Sequence, residues 1–279
     1  IIPETTNDAG RTRAYAWYSV LQDVGQAIGG LLAALPELLR VSGLAGETAS
    51  FRAVLLLYGV LTAASLPLYA RLSAGAEPPS REGRLRVSPA SRSVLWKISA
   101  LFAIDGVGGG FIGSALFSFF FYVQFGVSEA VISVLFLFGK GMSAASHLAA
   151  AWLARRIGLV NTMVYTHIPS SLLLVAIPFA GGFWAAAALY LLREGLAEMD
   201  VPTRQSYVMA MVQPEERTFA SGATSLARMC AWAVAPVVAG ASMQALALAT
   251  PLYVAAALKI SYDLLLYAAF SKAKPPEER

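Results

Sequence analysis

The chain has 279 residues, 57% of them hydrophobic and 14% charged, with a mean hydropathy of +0.60. An ordinary soluble domain carries about 25% charged residues, so this composition points to a membrane protein. The formal charge of +4 does not imply a nucleic-acid partner, because the basic residues fall mostly in short loops between apolar segments.

A single cysteine, Cys230, leaves no intrachain disulfide, and two separated histidines, His147 and His167, give no metal or cofactor motif. The opening IIPETTNDAGRTR has no initiator Met and no signal peptide, and it resembles the tail of an earlier helix entering a loop. A piece of a longer protein, its upstream part missing, is the expectation.

Eight apolar segments follow, at 14–35, 51–70, 94–121, 128–152, 159–180, 183–211, 218–243 and 247–270. Each approaches or exceeds the ~20 residues that a membrane helix needs. An even number places both ends on one side. That side carries thirteen basic residues, among them Arg11, Arg13, Arg71, Arg81, Arg155, Arg156 and Lys272; the opposite loops carry only Arg40 and Arg52. The asymmetry predicts a multi-pass protein with both termini cytoplasmic, in the cell inner (cytoplasmic) membrane.

The first span places Gln22, Asp23 and Gln26 on neighbouring turns, with Gly25 and Gly29 as a small-xxx-small pair. A packing seam accounts for these residues as well as a polar path does. The second span has Gly59 and Pro67 and an uncharged middle. Residues 71–93 are polar, basic and proline-containing, and read as a cytoplasmic linker between two bundles.

Asp105 stands inside the third span, before the overlapping pairs Gly106/Gly110 and Gly109/Gly113. Glycine at that density permits a tight crossing or a broken helix beside a transport site. The fourth span buries Lys140, which must snorkel or pair. His147 lies two turns on, on roughly the same face, and reads as a hydrogen-bonded packing residue. The fifth span contains Asn161, Thr166, His167 and Pro169, with a kink expected at the proline.

The sixth span, within Phe183–Arg217, is the most charged. Read as one helix, it puts Arg193, Asp200, Arg204 and Tyr207 in one sector and Glu194, Glu198 and Gln205 in another. Asp200 and Arg204, four apart, can pair; Glu194 and Glu198, also four apart, repel. A carboxyl that gains and loses a proton is what proton coupling needs. Charges in hydrocarbon cost about 2.5–3.5 kcal/mol each on insertion scales, so they pair or face a water-filled cavity. In the seventh span Arg228 reaches mid-membrane, with Glu194 or Glu198 as its expected partner. In the eighth, Lys259 and Asp263 are expected to pair with each other.

These features together resemble a major facilitator superfamily (MFS) transporter. HLAAAWLARRIGLVN is similar to the degenerate copy of that family's basic-turn motif, through Leu153, Arg156 and Gly158, with Arg155 at the usually acidic position. VPTRQSYVMAMVQPEERTFASG is similar to the turn after the fourth helix of a half, and DVGQAIGG is reminiscent of the exporters' glycine-rich motif, without its proline.

The resemblance implies an all-α, polytopic membrane helix bundle of eight spans here, four helices being absent. It implies that 1–70 closes the N-terminal half, 71–93 is the linker and 94–279 is the complete C-terminal half. It further implies a monomeric secondary transporter of small molecules working by alternating access, with efflux favoured and protons as the coupling ion. Asp23, Asp105, Lys140, Arg193, Glu194, Glu198, Asp200, Arg204 and Arg228 are the expected substrate and proton pathway. Arg155, Arg156 and Gly158 form the expected gating loop. Asp105 and the Glu194/Glu198 pair are expected in one cavity. A non-transporting fragment or scaffold is the main alternative. An integral-membrane enzyme is the lesser one, since no HExxH, GxSxG or phosphate loop occurs.

Overall fold

In lipid, every backbone polar group must be satisfied within the chain, and a helix does this from local residues alone. The computed structural model describes residues 6, 8–32, 35–71 and 87–272, and within these it is all helix and connecting turns. Most of the expected linker, residues 72–86 with Arg81, Arg84 and Arg86, lies outside the described residues, as do Lys274 and Arg279.

Among the described residues, four helices precede the linker: α1 (Asp8–Leu32), α2 (Leu35–Val41), α3 (Glu47–Ala63) and α4 (Leu66–Ala70). After it come α5 (Pro89–Phe111), α6 (Ser114–Phe125), α7 (Glu129–Ile157), α8 (Leu159–Ala176), α9 (Phe183–Ala197), α10 (Asp200–Met211), α11 (Arg217–Ala245) and α12 (Thr250–Phe270).

Helix ends follow local chemistry. Ser88 caps α5 by accepting from the Ser91 N–H at 3.2 Å, and Pro89 fills the first position, where no donor is needed. Gly126 ends α6 with φ 64°. Gly158 turns α7 into α8 in a single residue with φ 90°, a conformation that side chains resist. Glu216 Oε1 accepts from the Ser88 N–H at 2.6 Å, which joins the start of α5 to the turn before α11.

Among the described residues, six stretches are long and apolar enough to cross a membrane: Glu47–Ala70, Ser91–Phe125, Glu129–Ile157, Leu159–Phe179, Pro214–Ala245 and Thr250–Phe270. The first and sixth expected spans are not among them. The first, α1, carries Arg11, Arg13 and Asp23. The sixth is not one helix but two, interrupted at Glu198–Met199. Pro202 explains the interruption: it lacks an N–H for the Glu198 carbonyl and its ring crowds that oxygen. The sector arrangement expected for one continuous helix therefore does not hold.

The glycine-dense third span is also broken, between Phe111 and Ser114, as its composition predicts. Its glycines face a helix, however, and not a cavity. A Cβ on Gly106 would lie 2.5 Å from the Arg228 carbonyl, and one on Gly110 2.5 Å from the Ala235 Cβ. This close approach joins α5 to α11, which share the most extensive helix–helix contact among the described residues. Gly25 and Gly29 on α1, by contrast, meet nothing among the described residues within 4 Å of such a Cβ. Pro169 sits within α8 without ending it.

The bundle is built outward for lipid. Trp96, Val237, Leu264 and Phe138 are exposed, while Asp105, Arg204, Lys259 and Asp263 are buried. Two apolar clusters fill the interior, one around Ile98, Phe102, Met163, Tyr207 and Tyr262, the other around Phe120, Phe121, Leu174, Tyr190 and Leu252. The buried charges lie between them: on α5, Asp105 falls between Phe102 of one and Phe111 of the other. Among the described residues, the apolar Glu47–Ala70 stretch is almost entirely uncovered, Ser50 being buried, and its main contact is with α2.

Candidate functional site

Charged side chains that cannot reach water must satisfy each other. They gather here into two groups. The first is centred on Asp105, 1% exposed, and ties five helices together. Its carboxylate accepts from Arg204 Nη1 on α10 at 2.9 Å, Arg228 Nε on α11 at 3.2 Å and Lys259 Nζ on α12 at 3.0 Å. Arg204 Nη1 also donates to Asp200 Oδ2 at 2.9 Å, the i,i+4 pair that the spacing predicts. The Arg204 guanidinium lies over the Phe102 ring, 5.0 Å from its centroid. Lys259 Nζ lies 3.3 Å from His167 Nε2 on α8, whose Nδ1 is 3.0 Å from Asp263 Oδ1. The second oxygen of Asp263 is buried with no hydrogen-bond partner among the described residues.

Two expected pairings are corrected by this geometry. Arg228 meets Asp105, not Glu194 or Glu198, because the α5–α11 glycine seam holds those two helices closest. Lys259 and Asp263 do not pair with each other; His167 stands between them.

The second group lies where α1 meets α7. Asp23 of α1 takes Lys140 Nζ on one carboxylate oxygen at 3.1 Å and faces His147 Nε2 with the other, also at 3.1 Å. His147 Nδ1 lies 3.0 Å from the Glu198 carbonyl, which has no i+4 donor, residue 202 being proline, and accepts instead from the Val201 N–H at 3.3 Å. His147 is thus hydrogen-bonded, as expected, and its contacts bridge α1 to the break between α9 and α10. Pro202 was the sequence signal for this break. Beside it, the Ser143 hydroxyl reaches Glu194 Oε2 at 3.1 Å, and Arg193 donates to Glu194 Oε1. Gly139 leaves room for the Tyr190 ring, 2.9 Å from where a Cβ would sit. Thr12 Oγ1 donates to Ser206 Oγ at 2.8 Å, a further α1–α10 tie.

Asp105 and the Glu194/Glu198 pair therefore belong to different groups, each with its own partners. Among the described residues, no cluster of three or more His, Cys, Asp or Glu side chains could hold a metal ion. Cys230 is exposed and free.

The expected gating loop is the α7–α8 turn. Arg155 and Arg156 are exposed, and the Arg156 guanidinium lies 5.4 Å from the Trp152 ring centroid. With Arg13 and Trp17 of α1 these residues line a cleft of about 940 Å³.

The sequence pattern of the Major Facilitator Superfamily matches residues 1–236. The chain is 24% identical over 296 residues to the uncharacterized membrane protein YJR124C of Saccharomyces cerevisiae, covering 93% of this chain and 66% of that protein. In fold it is similar to the crystal structure of the human organic anion transporter MFSD10 (TETRAN), with a TM-score of 0.70, 18% identity, and 95% and 66% of the two chains covered. It is also similar to a bacterial homologue of the iron transporter ferroportin in its outward-facing state, with a TM-score of 0.62, 17% identity, and 97% and 66% covered. The chain spans 66% of the length of each of these relatives. It belongs to the Major Facilitator Superfamily and is an all-α, multi-pass membrane protein.

Proposed function

We propose that this chain is the larger part of a secondary transporter that moves small molecules across the cytoplasmic membrane by alternating access between two bundles. Residues 1–70 are then the last two helices of the N-terminal half, 71–93 the cytoplasmic linker and 94–279 the C-terminal half, with both termini cytoplasmic and a monomer as the working unit. The observation that carries this reading is the polar seam of α1. It meets the rest of the bundle through Asp23, Lys140, His147, Thr12 and Ser206. Polar contacts of this kind can take water as a replacement partner when a surface opens, which suits a surface that opens and closes; dry apolar contacts cannot.

Asp23, Lys140, Arg193, Glu194 and Glu198 line the substrate and proton path along that seam. Asp105, Asp200, Arg204 and Arg228 hold the wall behind it. Asp105 already balances three cations, so the coupling proton belongs with the seam carboxylates and not with Asp105. Arg155, Arg156 and Gly158 form the turn that closes the cytoplasmic side. The direction is efflux. The human organic anion transporter among the similar structures supports including organic anions in the substrate panel.

The test is uptake into vesicles reconstituted with the protein that carries this chain, across a panel of organic anions, cations and neutral compounds, with and without a pH gradient. Accumulation of at least one compound, driven by the gradient, is expected. Movement without gradient dependence removes the proton. No movement of any compound favours a non-transporting scaffold. Single cysteines at Ala76 and Ala180, in a Cys230→Ser background, should label from opposite sides.

A further inference from the structure

A histidine ring reports its surroundings through two nitrogens. In the neutral ring one donates and the other accepts; in the cation both donate. The two histidines of this chain are both buried, in opposite settings. His167 lies between an ammonium, Lys259 Nζ, and a carboxylate, Asp263 Oδ1. A neutral ring with its proton on Nδ1 satisfies both. His147 lies between two acceptors, the Glu198 carbonyl and the Asp23 carboxylate. No neutral ring can donate to both. One more proton is required, on the ring or on the Asp23 carboxyl.

Charge counting reaches the same answer. Around His167, the carboxylates Asp105, Asp200 and Asp263 face the cations Arg204, Arg228 and Lys259, so the group is neutral with a neutral ring. Around His147, three carboxylates face two cations. These are Asp23 from α1, Glu194 from α9 and Glu198 at the break, against Lys140 from α7 and Arg193 from α9. That group is neutral only with one added proton. Among the described residues, the other elements packed on α7 do not change the count: α6 has no charged residue, Arg204 of α10 pairs with Asp105 and Asp200, and His167 of α8 turns to α12.

We propose that Asp23 and His147 hold one exchangeable proton between α1 and α7, and that its departure loosens α1 from the bundle. Without it, a ring lone pair faces either the carboxylate or the carbonyl. The tie then rests on Lys140, whose side chain is 41% exposed and open to competition from water. This deepens the transport reading and rests on it for the motion of α1; donor counting and charge balance carry the proton itself.

The test uses the full chain in lipid nanodiscs with ¹⁵N-labelled histidine. Solid-state NMR reads the protonation of each ring nitrogen from about pH 5 to 8, the range in which histidine changes charge. With two histidines, His167 is the internal reference; His147→Gln assigns the signals, and His167→Gln does so if the first variant does not fold. The expected result is that His147 carries two N–H groups at the acidic end and one at the alkaline end, while His167 carries one throughout. A proton found instead on Asp23, as an infrared carboxyl band lost in Asp23→Asn, supports the proposal equally. The distance between spin labels at Leu21 and Phe138, in a Cys230→Ser background, should broaden over the same range. A His147 ring with one N–H at every pH and no protonated Asp23 overturns the proposal. So does a label distance that stays fixed as the proton leaves.

Discussion

The two ionic groups are built from the same residue types and do opposite things. Around Asp105, three cations and three carboxylates from α5, α10, α11 and α12, with His167 of α8 between Lys259 and Asp263, close on one another inside the bundle. Around Asp23, the partners come from α1 on one side and α7 and α9 on the other, and Lys140 is part-exposed. A carboxylate encircled by cations from its own bundle is a fastener. A carboxylate that reaches across a seam, with one partner in contact with water, is a contact that can be exchanged. Burying charges is costly in either case, but only the second arrangement offers an alternative partner when it opens.

The comparison can be broken by mutation. The largest effect should come from Asp105→Asn, which leaves three buried or part-buried cations facing a neutral amide. Removing one partner of a buried ion pair costs about 3–5 kcal/mol, so a marked fall in melting temperature and folded yield is expected. Unchanged melting would show that the Asp105 group fastens nothing.

Gly110→Ala should come next. Its methyl would lie 2.5 Å from the Ala235 Cβ and 2.7 Å from the Trp232 carbonyl, and overpacking of this kind costs about 1–3 kcal/mol. Gly25→Ala on α1, where nothing lies within 4 Å, is the matched control and should leave the melting temperature unchanged.

Asp23→Asn should be milder, about 1 kcal/mol on melting, because the amide keeps one hydrogen bond of the seam. Its main effect should be loss of gradient-driven transport. Lys140→Ala should be smallest, within about 1 kcal/mol as for exposed ion pairs, and should leave the Asp23–His147 bridge in place. If Asp23→Asn destabilises as much as Asp105→Asn, the two groups are not different in kind.

The sequence made some of this legible. Apolar runs and basic loops gave the helical membrane class, and glycine density gave the break between Phe111 and Ser114. The Asp200–Arg204 pair followed from spacing within one helix. What could not be read were the pairings between helices. Arg228 goes to Asp105 because Gly106 and Gly110 bring α11 against α5, a tertiary choice that no spacing along one helix encodes. His167 separates Lys259 from Asp263 for the same reason. The break at Glu198–Met199 was readable from Pro202, which cannot donate to the carbonyl four residues back. That His147 is hydrogen-bonded was legible from its place on an apolar helix; that its partners are Asp23 and the Glu198 carbonyl was not.

The central claim is that α1 moves against a bundle that stays whole. It is tested most directly by two label pairs in one background, Cys230→Ser. One pair, Leu21 and Phe138, spans α1 and α7. The other, Trp96 and Leu264, spans α5 and α12; all four positions are exposed. Double electron–electron resonance would read both distances from acidic to alkaline pH, and with and without a transported compound. The account predicts that the α1–α7 distance shifts or broadens while the α5–α12 distance holds. Equal movement of both pairs, or movement of α5–α12 alone, would contradict it.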